Sequence, residues 1–134
     1  MSTTRVSTFL RRVLLADAAT SAAMGVLLLS AAATLAALLR LPEMLLYGAG
    51  IVLLPYAALV GYFGLRETLP RPFVWAVIVA NALWAADSIA LLLGGWVAPN
   101  ALGEAFVVAQ AVVVALFAEL QYLGLRKSAI PAIA

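Results

Sequence analysis

Cysteine and histidine are both missing from the 134 residues. Their absence removes disulfides, thiol redox chemistry, ordinary zinc sites and haem held by His or Cys. It also removes the usual acid–base group of near-neutral chemistry. An enzyme built on this chain would have to work with carboxylates, hydroxyls and tyrosines, and no nucleophile–base pair or metal cluster is visible among them. Neither an enzymatic activity nor a cofactor is expected. Charge is scarce as well. Charged residues make up 10 %, where a soluble domain usually carries about 25 % because its surface must face water. The net charge is only +2, and no basic patch interleaved with aromatics appears, so nucleic acid is not expected as a partner.

What is present in quantity is apolar, at 66 % of the chain. Crossing a hydrocarbon core of ~30 Å takes about 20 residues at 1.5 Å each. Four stretches meet that length: about 13–39, 44–65, 73–97 and 101–125. The first is too long for the roughly 7–15-residue core of a signal peptide, and it contains Asp17. Helix is expected over barrel strand because the stretches are long, unbroken and rich in Ala and Leu. In lipid a helix satisfies every backbone group within its own segment. The expected fold is all-α: one transmembrane domain over 1–134, a four-helix bundle running up and down.

Punctuation falls between the runs, at Pro42, at Pro70 and Pro72, and at Pro99-Asn100. Proline disfavours helical geometry in the residue before it, and Asn100 suits the N-cap of the last helix. Pro55 lies inside the second span, where it removes one backbone donor and predicts a kink. Short connections make sequential helices antiparallel neighbours.

Orientation follows from Lys and Arg. Arg5, Arg11, Arg12, Arg66, Arg71, Arg126 and Lys127 fall on one side and only Arg40 on the other. Both termini are expected in the cytoplasm. Tyr62, Phe63, Phe73, Trp75 and Tyr122 lie near that boundary, and Tyr47, Trp96 and Phe106 near the outer one, as an interfacial belt. Tyr56 and Trp84 fall near mid-membrane, where the belt does not account for them.

An echo connects the second and fourth spans. Val52–Arg66 reads VLLPYAALVGYFGLR and Val112–Arg126 reads VVVALFAELQYLGLR. Two repeated hairpins would produce it. So would two helices that each end on an anchoring Tyr and a snorkelling Arg. Small residues four apart, such as Ala18/Ala22, Ser21/Gly25, Ala57/Gly61 and Ala82/Ala86, favour close helix packing. They also leave room for self-association, a partner membrane protein or lipid contacts.

A carboxylate at the bilayer centre costs about 2.5–3.5 kcal/mol even on lenient scales, so buried acids are the first site candidates. They are Asp17, Asp87 and Glu119, joined by Asn81, Trp84, Ser88 and Gln110. Glu43 and Glu104 reach water near the outer boundary. Depth places Asp17 and Glu119 in the inner third and Asn81 slightly deeper, and pairs Asp87 with Gln110 in the outer half. By the 100° helical step, Gln110 and Glu119 are 180° apart and cannot share a face. Removal from water favours a neutral carboxyl, which makes proton exchange one reading of these acids. Interhelical hydrogen bonding is the other. Trp84 beside Asp87 would suit a cationic, partly aromatic ligand.

The stretches around Asp17-Ala-Ala, Asn81-Ala-Leu-Trp84 and Ala118-Glu-Leu-Gln-Tyr-Leu-Gly-Leu-Arg126 resemble small bacterial integral membrane proteins that carry no assigned activity. That resemblance implies a helical fold in a bacterial inner membrane. Four helices with an acid in the first also look, more distantly, like the small multidrug resistance transporters. That likeness would make Asp17, in place of the family's glutamate, a proton-coupled acid and Trp84 an aromatic wall. The expected function is an accessory or ligand-binding bundle. The alternative is a proton-coupled transporter or channel for small cationic molecules.

Overall fold

The computed structural model describes residues 3–128. Along the chain come β1 (Thr3–Arg5), α1 (Thr8–Ser30), α2 (Ala32–Leu39), α3 (Glu43–Gly64), β2 (Thr68–Pro70), α4 (Arg71–Leu93) and α5 (Ala101–Lys127). Four of these helices are long and apolar enough to cross a membrane. The protein is an all-α, multi-pass membrane bundle.

Three boundaries differ from the sequence expectation. The first helix starts at Thr8 rather than near 13, because the Ser7 hydroxyl accepts from the Leu10 amide at 3.0 Å and caps it. It then breaks at Ala31 (φ −127°, ψ 24°) before α2 resumes. Just before the break, the Ser30 hydroxyl donates to the Val26 carbonyl at 2.7 Å, a back-bond that bends helices. The third span stops at Leu93 rather than 97, where Gly94 caps it and Gly95 turns the chain at φ +74°. By contrast α3 runs unbroken through Pro55.

A short antiparallel ribbon, unforeseen in the sequence, pairs β1 with β2 in the register Thr4↔Leu69. It ties the segment before α1 to the α3–α4 connection, and Leu69 is fully buried beneath it. At the same basic end, Arg11 donates to the Arg66 carbonyl at 3.1 Å and the Ser128 hydroxyl to Ser7 Oγ at 3.2 Å.

The helices form two close pairs, α1 with α3 and α4 with α5, and α1 joins the pairs through α5. Lipid tails supply no hydrophobic drive between helices, so close packing must hold them. At the α1–α3 crossing a Cβ on Gly50 would meet Leu29 Cγ at 2.9 Å and the Gly25 carbonyl at 3.1 Å. Only glycine permits that approach. On the fourth side α3 and α4 meet through the Phe63 and Phe73 rings, 4.5 Å between centroids, and through the Tyr56 hydroxyl, 3.2 Å from Asn81 Oδ1.

Two apolar clusters fill the ends. Leu10, Leu14, Val60, Leu69, Val74 and Leu125 pack at the basic end. Leu28, Leu39, Leu41, Leu46 and Val107 pack at the opposite end. There Asn100 fastens the α2–α3 and α4–α5 connections, its amide donating to the Leu38 carbonyl at 2.8 Å and its backbone N–H to the Leu39 carbonyl at 3.2 Å. The echoed segments make the same local structure: Arg66 lies over the Tyr62 ring at 5.6 Å and Arg126 over Tyr122 at 5.8 Å.

Candidate functional site

Between the two apolar clusters lie two polar layers. In the first, Asp17 is the hub and is only 2 % exposed. Its Oδ2 accepts from the Tyr56 hydroxyl at 2.7 Å, the Asn81 amide at 3.0 Å and the Gln121 amide at 2.6 Å. Its Oδ1 accepts from Ser21 at 3.1 Å, one turn further along α1. The Asn81 amide also donates to Gln121 Oε1 at 2.9 Å. Four helices thus converge on one carboxylate. All four of its partners are uncharged groups that donate to it.

The second layer is one turn outward on α4. Trp84 Nε1 donates to Gln110 Oε1 at 2.9 Å. The Gln110 amide donates to Ser88 Oγ and to the Val107 carbonyl, both at 2.9 Å. Ser88 in turn donates to the Trp84 carbonyl at 2.7 Å. Among the described residues no buried side-chain polar atom is left without a partner.

A cavity of about 370 Å³ runs alongside both layers. Asp17, Thr20, Ser21, Trp84, Ser88 and Gln110 contribute its polar atoms, and Leu, Val, Phe, Ala and Met side chains supply the rest of the wall. Among the described residues Asp17 is the one acidic or basic residue lining it. A smaller hollow of about 110 Å³ lies next to it between α3 and α4, bounded by Val52, Leu53, Tyr56, Ala80, Asn81 and Trp84. All four long helices line the larger cavity.

The structure sorts the sequence candidates. Asp17 and Asn81 enter one network, Trp84 and Gln110 the other. Asp87 and Glu119 enter neither and are exposed on the outside of the bundle. The expected pairing of Asp87 with Gln110 is replaced by Trp84 and Ser88 on the Gln110 amide. On α4 Asp87 points about 60° away from Trp84, enough to carry it off the inner face. Gln110 turns inward on α5, which leaves Glu119, half a turn round, facing out.

Three members of the first layer were not among the candidates: Ser21, Tyr56 and Gln121. Tyr56 and Gln121 both left a signal. Tyr56 sits at a depth where the interfacial belt does not explain a tyrosine. Gln121 is eleven residues from Gln110, about 20° apart on the wheel, and therefore shares its inward face. No group of three or more His, Cys, Asp or Glu is brought together among the described residues.

Comparison with known proteins adds nothing to this geometry. No family model, curated protein or solved structure matches the chain.

Proposed function

We propose that the protein binds a single lipophilic molecule inside a bacterial inner membrane, with its basic end and both termini in the cytoplasm. One observation carries this reading. The cavity of about 370 Å³ lies among all four long helices, with Asp17, Trp84 and Gln110 set in an otherwise apolar wall. Pockets for small organic ligands span ~300–1,000 Å³ and combine apolar walls with a few placed polar groups. This cavity has that make-up. Its inner end is packed by the cluster around Leu10 and Leu14, and its outer end is covered by the connections that Asn100 fastens. Entry from the bilayer is the route this arrangement favours. The orientation is supported by the seven-to-one distribution of Lys and Arg.

Bromine-labelled dodecanol in phosphatidylcholine nanodiscs tests the reading. With Trp75→Phe and Trp96→Phe leaving Trp84 as the sole tryptophan, the probe should quench Trp84 saturably. Ala49→Phe, which fills the α3 side of the cavity, should abolish saturation. Quenching that rises linearly in both proteins would overturn the proposal.

Glu119 supports a second reading, self-association. It presents a carboxyl group on the exposed face of α5, and an adjoining subunit would remove it from lipid. Glu119→Leu should then shift the oligomeric state measured by native mass spectrometry; an unchanged state removes this reading.

A further inference from the structure

What fills the cavity follows from its shape and from how its polar groups are already used; this step rests on the binding function proposed above. Every polar side chain of the wall except Thr20 has a place within the bundle. Ser21 donates to Asp17, Trp84 to Gln110, and Ser88 to the Trp84 carbonyl. The Gln110 amide donates to Ser88 and to the Val107 carbonyl. Asp17 accepts from Ser21, Tyr56, Asn81 and Gln121. A ligand's polar head would have to compete with contacts the helices make with one another. These groups close the wall and do not mark a headgroup site.

The cavity is long and thin. On α1 its wall runs from Asp17 to Leu28, and on α5 from Phe106 to Phe117. At 1.5 Å per residue each stretch rises about 16 Å. A volume of about 370 Å³ spread over that length leaves a cross-section of about 23 Å². Carbons joined by ~1.5 Å bonds at tetrahedral angles advance about 1.3 Å apiece. Each occupies about 30 Å³, close to the share of a water molecule in the liquid. One extended chain therefore has the same cross-section, about 23 Å². The space holds a single chain of about twelve carbons, and neither two chains side by side nor a fused ring system.

Hydrophobic drive does not select the occupant, because the bilayer is as apolar as the cavity. Contact with the wall does. Side chains that face a void lose their dispersion partners, and a chain restores them only over the length it fills. Its head belongs at the end remote from the basic one, where Leu45 lines the cavity and is 38 % exposed. At the opposite end the fully buried Leu10 and Leu14 pack beyond Asp17. The length of about 16 Å also matches one leaflet, half of the ~30 Å hydrocarbon core.

We propose that the cavity takes one unbranched hydrocarbon chain of about twelve carbons, aligned with the helices, and that it selects this chain by length and thickness without recognising the head.

Competition against the bromine-labelled dodecanol tests this, in the protein whose sole tryptophan is Trp84. The host is diphytanoylphosphatidylcholine, whose methyl-branched chains are too thick for the cross-section. Unlabelled straight-chain alcohols of six to eighteen carbons are added, and recovery of Trp84 emission is read against their mole fraction in the bilayer. The half-displacing fraction should fall at least about tenfold from six to twelve carbons and change less than about twofold beyond, where added carbons no longer meet the wall. Phytanol, a methyl-branched alcohol, should leave the probe in place. Dodecanol, dodecanoate and dodecylphosphocholine should agree within about threefold, since no head is recognised. Dilauroylphosphatidylcholine separates two sources of such a chain: displacement assigns it to bilayer lipid, and no displacement assigns it to a free single-chain amphiphile. Displacement by phytanol, indifference to chain length, or heads that differ by more than threefold overturn the chain assignment while the labelled dodecanol still saturates. Failure of the labelled dodecanol to saturate overturns the binding function along with it.

Discussion

The Gln121 amide donates to Asp17 Oδ2 at 2.6 Å and so joins residues 104 positions apart in the chain. Through this contact the first spanning helix holds the last one, and Asn81 bridges both. The carboxylate is therefore a structural centre as well as part of the cavity wall.

Gln121→Leu removes a donor to Asp17 and one of the two acceptors of the Asn81 amide at once. Interhelical hydrogen bonds in lipid contribute up to about 1–2 kcal/mol. A loss of that order is expected in unfolding titrations in detergent micelles. An undiminished midpoint would show that the network does not hold the helices together.

Gly103→Ala should be costly and Gly48→Ala harmless. A Cβ on Gly103 would collide with the Leu39 carbonyl, whereas one on Gly48 meets nothing within 4 Å. Forcing an extra carbon into a filled contact costs about 1–3 kcal/mol. Thermal unfolding of the pair should separate them clearly, and equal stabilities would contradict the close approach of the outer connections.

Asp87→Ala and Glu119→Ala should each keep the stability of the monomer within about 0.5 kcal/mol, the usual range for surface changes. Neither side chain belongs to the buried networks, and both are exposed. A large loss in either variant would place that carboxyl group inside the fold rather than outside it.

Ser7→Ala removes the cap on α1, since Ser7 Oγ accepts from the Leu10 amide. Caps of this kind contribute about 1 kcal/mol. Amide hydrogen exchange at residues 8–11 should accelerate while the exchange of α5 beyond its first turns stays unchanged. Uniform acceleration along both helices would instead show that the cap acts on the whole bundle.

Much of the site was legible in outline. Two polar layers could be placed by counting residues from the membrane boundary, and Asp17, Asn81, Trp84 and Gln110 occupy them. Asp87 and Glu119 share those depths and still lie outside. Depth depends on position along one helix, but facing depends on how each helix is rotated against its neighbours. The half-turn between Gln110 and Glu119 on the helical wheel already showed that they cannot share a face. Choosing between them required the neighbouring helices.

The sequence by itself determined that this chain lives in lipid, that four helices cross it, and roughly where each begins and ends. Those features are local: run length, the scarcity of charge, and proline and glycine between the runs act within one segment at a time. Only the tertiary structure decided that Tyr56 and Gln121 join Asp17, that α1 breaks at Ala31, and that the four long helices leave a cavity among them. In lipid no hydrophobic force selects which helix faces meet. The choice falls to close packing at small residues such as Gly25 and Gly50 and to polar groups finding partners, and both are settled only when all four helices are together.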